Sequence, residues 1–356
     1  MRARKSGSVS WGLVVAFVVA QPVWASSSPQ GALGVQHKPK AQESVQAVYR
    51  QQNALFKAGQ LILQPGISYA YSDSNSLTLN GFLALGAIFL GQINVSKVQS
   101  NIETLSLQAS YAPTNDFELS LTVPYLARQS TYESVGAGSS SLQASQQDVQ
   151  NKGEIGDASA SLYYQLSGSQ GGSATVWNLT AKAPTGRSPY GIPVVTQPQN
   201  NNLSYPQSLP TGNGLWSVST GLSFIKPASP AILFGSLSYT YNLPRGFSNI
   251  ASTNIPQPGQ VAGGNSFSLG GGTAFALNRR VSLTLSVDET FIAATRIKPQ
   301  GGAWQSVVGS SGNAAVLNVG MSYADSRRVT VVTNLGVGLT KDAPNIDLSL
   351  TVPTMF

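Results

Sequence analysis

Apolar residues in this sequence recur at every second position, not every 3.6. Over residues 60–72 they are Leu61, Leu63, Ile67, Tyr69 and Tyr71. Over 103–111, Leu105, Leu107, Ala109 and Tyr111 share one face, and Thr104, Ser106, Gln108 and Ser110 share the other. Phe117, Leu119, Leu121, Val123 and Tyr125 alternate with Glu118, Ser120 and Thr122. Period-two alternation of this length predicts strands with one greasy face. The same reading places further strands near 154–166, 174–184, 215–225, 231–242, 265–277, 280–292, 314–324, 328–339 and 345–356, twelve in all. Most are about 10–13 residues, enough for a tilted strand to cross the hydrocarbon of a bilayer.

The connections sort by length. Those after the even strands are short: 113–115, 167–173, 226–230, 278–279 and 324–327. Those after the odd strands are mostly long, such as 129–153, 185–214, 243–264 and 293–313. A transmembrane barrel has this asymmetry, with short periplasmic turns and long extracellular loops, whereas a soluble sandwich has no reason for it. The aromatics on the greasy face also sort. Tyr111, Phe117, Tyr164, Phe224, Phe275, Tyr323 and Phe356 fall near the turn ends. Tyr69, Tyr71, Tyr125, Trp216, Tyr239, Tyr241 and Phe291 fall near the loop ends, so two interfacial girdles are expected. The fold class expected is all-β: a transmembrane antiparallel β-barrel of about twelve strands.

Composition agrees with this reading. Charged residues make up 10% of the chain, against roughly 25% in soluble proteins. Mean hydropathy is nevertheless only −0.01, because Ser, Thr, Asn, Gln and Gly fill the polar positions. Arg2, Arg4 and Lys5 precede a short apolar run from Trp11 to Ala20, and Val23-Trp24-Ala25 offers a small residue for cleavage. That layout predicts a secretory signal peptide over 1–25. Removing its three basic residues lowers the net charge from +7 to +4, so the basicity is no sign of a nucleic-acid partner. The expected division is therefore signal peptide 1–25, a periplasmic segment 26–58, and an outer-membrane barrel 59–356. The final strand ends on Phe356, like the C-terminal signal by which the barrel-assembly machinery recognises its clients. Outer-membrane lipid is the other expected partner.

Two segments fit no strand. Residues 41–57 carry Val45, Val48, Tyr49, Leu55 and Phe56 at roughly helical spacing, a short helix or plug. Residues 81–98 (Gly81 to Val98) are greasy for a loop. Three readings stand: a loop packed on or into the barrel mouth, which is favoured, an interfacial segment, or an extra hairpin.

Catalytic chemistry is sparse. His37 is the single histidine and lies in the N-terminal tail, so the barrel has no Ser-His-Asp triad or histidine shuttle. No cysteine is present, no phosphate loop occurs, and Gly270-Gly271-Gly272-Thr273 reads as small residues easing curvature. No enzyme activity, cofactor or metal is expected. What remains is the inner face. Parity points Glu118, Arg128, Gln165, Asn178, Lys182, Asn242, Asp288, Asn318, Asn334 and Asp347 toward the lumen. Of these, Glu118, Arg128, Asn178, Lys182, Asp288, Asn334 and Asp347 are the pore-lining candidates. Two readings stand: charges paired or solvated in a filled interior, or Arg128, Lys182, Asp288 and Glu118 setting pore selectivity. Twelve strands enclose a bore between the filled interior of about eight and the aqueous channel of 16–18.

Several segments carry a family resemblance. Gly156-Asp157-Ala158-Ser159-Ala160-Ser161-Leu162-Tyr163-Tyr164-Gln165-Leu166, Lys182-Ala183-Pro184-Thr185-Gly186, Leu209-Pro210-Thr211-Gly212-Asn213-Gly214-Leu215-Trp216 and residues 233–241 resemble the outer-membrane family named for the meta-pathway of phenol degradation. The resemblance covers most of 55–356. It implies a narrow channel for passive transport of small hydrophobic or aromatic molecules. It assigns no catalytic residue; the Pro-Thr-Gly segments are expected to serve tight reversals at strand–loop junctions. Residues 49–61, followed by Gly81-Phe82, are also similar to the barrel that secretes functional-amyloid subunits. That family has a periplasmic coiled coil, whereas residues 26–58 contain no run of three heptads, which counts against export and trimerisation. A non-transporting structural or adhesive barrel is the further alternative.

Overall fold

The computed structural model describes residues 43–52, 57–75, 79–84, 87–93, 97–135, 144–168, 172–197, 203–251 and 255–356, with backbone alone at 75, 79–84, 87–93, 135 and 144–145. The expected signal peptide lies outside these residues. Twelve antiparallel strands form the wall: β1 (Gln60–Asn75), β2 (Lys97–Ala112), β3 (Phe117–Val135), β4 (Ser159–Gly168), β5 (Ala174–Lys182), β6 (Ser217–Ala228), β7 (Ala231–Asn242), β8 (Ser266–Ala276), β9 (Val281–Ile292), β10 (Gly312–Ala324), β11 (Thr330–Gly338) and β12 (Ile346–Thr351). Each pairs with its neighbours in sequence, and β12 pairs back onto β1 from Gly66↔Thr351 to Tyr71↔Ile346. The sheet is a closed barrel. Closure leaves no free edge within the wall, which hydrocarbon could not satisfy.

The alternation sorts the side chains as the sequence predicts. Leu107, Leu121, Leu237, Leu285, Val319 and Leu350 are all at least 40% exposed, although each is apolar. Their strand neighbours Ser106, Ser120, Ser238, Thr284, Gly320 and Ser349 take the opposite face. This is the surface of an outer-membrane barrel, whose solvent is lipid. Tyr239, Phe267 and Phe291 stand side by side in register near the loop ends, and all are more than 40% exposed. Tyr111, Tyr164, Phe224, Phe275 and Tyr323 form the corresponding band near the turns. Leu107→Arg puts a charge on the lipid face near mid-wall, at an expected cost of about 2–4 kcal/mol. Thr104→Arg, on the lumenal face, should cost far less; urea unfolding in lipid would separate the two.

β1 and β2 are each 16 residues and β3 is 19. Sixteen residues extend about 53 Å, well beyond the roughly 30 Å of hydrocarbon. These strands therefore project from the loop end, where Ala144–Gln150 extends the sheet along β3. Residues 81–98 fall largely in a hairpin, Leu79–Ala84 with Ala87–Ile93, one of the three conformations considered for this segment. Its second strand comes close to Leu203–Pro206 of the loop after β5. The last strand is also shorter than expected. Pro353 has no N–H for the ladder, so β12 stops at Thr351 and pairing with β1 resumes at Thr354–Met355.

Helix α1 (Glu43–Gln51) sits inside the turn end of the barrel. Nine residues are too few for a stable isolated helix, so packing must hold it. Val48 and Tyr49 are 1% and 2% exposed, packed with Ala174, Val176, Ile225, Ile232 and Ala274. Those partners are the lumenal residues at the turn ends of β5 to β8.

Candidate functional site: the lumen and its two closures

Small polar side chains dominate the inner wall, and glycine makes room for the larger ones. A Cβ at Gly270 would lie 2.1 Å from an Asp288 carboxylate oxygen, and one at Gly272 would meet Phe234 at 2.6 Å. The outward Gly271 has open space, its nearest neighbour being the Phe234 carbonyl at 3.8 Å. Curvature alone therefore does not account for this glycine run: two of its members are the floor beneath lumenal side chains.

The candidate pore residues fall into separate groups. Asn318 Nδ2 donates to Asp288 at 2.8 Å, and Asn334 Nδ2 donates to Asn318 at 2.9 Å. The register sets Asp347 opposite Gly336, itself opposite Asn318, so a polar band crosses β9 to β12. Asn178 lies over Gly221, where a Cβ would be 3.1 Å from its Oδ1. Lys182 closes the ladder at the loop end, opposite Ser159 and Ser217. Gln165 sits beside the bulge of β4, and Asn242 Nδ2 donates to the Gly264 carbonyl at 2.6 Å.

Glu118 and Arg128 are both buried, yet ten residues apart on β3, about 33 Å. Glu118 belongs to the turn end and Arg128 to the loop end. Among the described residues, Glu118, Arg128, Lys182 and Asp288 form no ion pair with one another. Mutual pairing across a filled interior therefore does not describe them.

At the turn end, α1 is fastened to three different turns. Ser44 donates from N to the Arg279 carbonyl at 3.1 Å and from Oγ to the Asn278 carbonyl at 2.7 Å. The Tyr49 hydroxyl donates to the Gly172 carbonyl at 2.9 Å, and Glu43 pairs with Arg327 at 3.7 Å. Because the helix packs on one side, a cavity of about 210 Å³ remains between it and the opposite wall. Arg50, Gln64, Gln108, Glu118 and Tyr163 line it together with Ile62, Val332 and Met355. The sequence offered the helical spacing, but no signal in it named the turns that receive the helix.

At the loop end two apolar clusters form. Ile192, Leu203 and Leu209 pack on the inner face of the β2–β3 extension at Val98, Tyr132 and Val149. Leu215, Ile250, Val261 and Val307 join three loops, with Tyr190 tilted on Phe247 at 4.7 Å. Tyr190 lies beyond the membrane, and burial pushes its phenol up, so it stays neutral well into alkali.

Beside these clusters lies a clamp that the sequence reading missed. Asp157 accepts from Gly186 N at 3.1 Å and from Asn213 N at 2.8 Å. Thr185 Oγ1 donates to the Gly156 carbonyl at 2.6 Å, and Thr211 Oγ1 donates to the Ile155 carbonyl at 2.9 Å. Glu154 and Arg187 form an ion pair across the same junction. The two Pro-Thr-Gly segments thus pack on each other, and neither Gly186 nor Gly212 has a positive φ. A Cβ at Gly186 would be 2.8 Å from Gly212 N, so the glycines serve close backbone approach and not tight reversal. The repeated tripeptide was the available signal, but its partner Asp157 lies too far away in sequence to be recognised.

No protein-family model matches this sequence. An outer-membrane channel from Pseudomonas putida F1 is similar in structure, with 14% identity and a TM-score of 0.54, over 85% of this chain and 97% of that one. The transport unit of the autotransporter AIDA-I from Escherichia coli is 10% identical with a TM-score of 0.42, over 89% and 99% of the two chains. A Pseudomonas aeruginosa FadL homologue is 7% identical with a TM-score of 0.39, over 84% and 90%. The latter two, below a TM-score of 0.5, add nothing to the first. At such identities the likeness is one of fold: this chain has the architecture of an outer-membrane β-barrel channel.

Proposed function

We propose that the chain is an outer-membrane channel through which small hydrophobic or aromatic molecules diffuse passively, narrowed at its periplasmic mouth by α1. The observation that carries this reading is the cavity beside the helix. A twelve-strand barrel leaves a bore, α1 occupies part of it, and an amphipathic gap of about 210 Å³ remains. A cavity of that volume holds a single aromatic ring. The family resemblance over most of residues 55–356 and the fold shared with the Pseudomonas putida channel support the same reading. Periplasmic and extracellular sides follow from the short turns and long loops.

The test is single-channel recording of the chain, purified from outer membranes, in a planar bilayer. Small conductance steps that phenol interrupts in resolved blocking events are expected; silence from correctly folded barrels would overturn the reading. Asp288→Asn removes one lumenal charge without removing the acceptor for Asn318. It is expected to shift the reversal potential under a salt gradient toward anions, with the heat-shifted gel band unchanged.

Assembly is proposed to depend on Phe356. Its ring is 66% exposed, and its backbone N donates to the Leu61 carbonyl at 2.8 Å, at the seam where the barrel closes. Phe356→Ala should lower the amount of folded barrel in outer membranes several-fold, while the protein that does insert keeps its conductance.

A further inference from the structure

Arg128 points inward from β3 at the loop end and is 6% exposed. Its Nε and Nη1 groups are buried without any hydrogen-bond partner. The cross-strand register faces it with Ile102 on one side. On the other side is Asn151, whose Oδ1 is taken by the Arg128 backbone N at 2.7 Å. The Nδ2 of Asn151 is itself buried and unpartnered. So is the hydroxyl of Tyr132, the next large inward side chain along β3. No described carboxylate balances the guanidinium: Glu154, two register positions toward the turns, is held by Arg187.

Arg128, Asn151 and Tyr132 thus share one inner face, with the Ser130–Ser100 pair, hydrogen-bonded at 3.1 Å, between Arg128 and Tyr132, and no described carboxylate there pairs with the guanidinium. Buried polar groups are normally satisfied, and a buried guanidinium, which does not lose its proton, is the costliest to leave alone. Ile102 lies beside Arg128, and past the Ser130–Ser100 pair the face turns apolar with Val98, Val149, Ile192, Leu203 and Leu209. An inorganic anion would satisfy the donors but gain nothing from these side chains. A carboxylate on a ring or short alkyl chain matches both.

We infer that Arg128, Asn151 and Tyr132 form a binding site for small carboxylates with an apolar body, of the benzoate kind, beneath the loop that follows β5. The carboxylate accepts from Arg128, Asn151 and the Tyr132 hydroxyl, and its apolar body replaces packing that Ile192, Leu203 and Leu209 now supply. Entry requires that loop to shift outward. The inference extends the channel reading by naming a class of solute, but the binding itself does not need conduction.

The experiment is therefore equilibrium titration calorimetry on the full chain in zwitterionic detergent at neutral pH, with benzoate, phenol and phosphate as probes. Saturable benzoate binding is expected, weakened at least tenfold by Arg128→Gln and several-fold by Tyr132→Phe, with phosphate at least tenfold weaker than benzoate. Should Arg128→Gln fail to give a heat-shifted band, Tyr132→Phe and Asn151→Ala decide the matter. No benzoate binding by wild type, binding unchanged in the variants, or phosphate bound as tightly as benzoate would overturn the inference. Channel currents that phenol blocks in the absence of any benzoate site would leave the proposed function standing and this inference fallen.

Discussion

Single-channel current through a barrel lacking residues 43–51 is expected to rise several-fold above that of the intact chain. A helix with its side chains is about 10–12 Å across, comparable with the bore of a twelve-strand barrel. Here it is driven into the mouth by Val48 and Tyr49 and held by hydrogen bonds to carbonyls of two turns. Removing it frees the lumenal ends of β5 to β8 without touching a strand ladder. The barrel should still migrate as a heat-modifiable band, so folding and conduction are read separately. Tyr49→Phe loses one hydrogen bond at about 0.5–1.5 kcal/mol and should give flickering between the two levels. Equal currents from the intact and shortened chains would mean that ions pass through the gap beside the helix unhindered, and that α1 is a brace and not a plug.

The second large effect is expected at Gly186. Alanine there would bring its Cβ within 2.8–2.9 Å of Gly212 N, Gly212 Cα and Thr211 C, all backbone atoms that no side-chain rotation relieves. Overpacking of this kind costs about 1–3 kcal/mol. It also separates Asp157 from the amides of Gly186 and Asn213. Arg187 follows directly, held by its ion pair with Glu154 and by its backbone N on Thr211 at 2.9 Å. Trypsin should therefore cut after Arg187 at least tenfold faster in Gly186→Ala than in wild type. Gly271→Ala, whose Cβ would meet only the Phe234 carbonyl oxygen at an ordinary 3.8 Å, is the control and should match wild type. Equal cleavage rates in all three would show that the loop gains no order from the clamp.

The wall of this protein was legible because lipid and lumen impose opposite chemistry on alternate residues, a constraint each strand displays by itself. Leu105 to Tyr111 needs no knowledge of β3 to declare its faces. Loop-end packing carries no such local mark. Asp157 is tied to Gly186 and Asn213 across 29 and 56 positions, and Ser44 reaches a carbonyl 234 positions away at Asn278. Pairings over those spans depend on the closed cylinder bringing them together. Burial of Glu118 and Arg128 was equally hidden. Parity placed both in the lumen, but it did not tell that each would be almost fully buried there, at opposite ends of β3. The hairpin within residues 79–93 shows the converse: its greasy composition suited several conformations, and the backbone alone decides among them.

The seat of α1 has a consequence for the order of assembly. Its anchors are the turns before β5, β9 and β11, and the three come together only when the strands from β4 to β11 have assembled. Closure itself waits for β12 to reach β1, the longest-range pairing in the wall. Contacts of such sequence separation are entropically late. The helix, first of the described elements in the chain, is therefore the last to find its place, and every molecule passes through an unstoppered stage before it is finished.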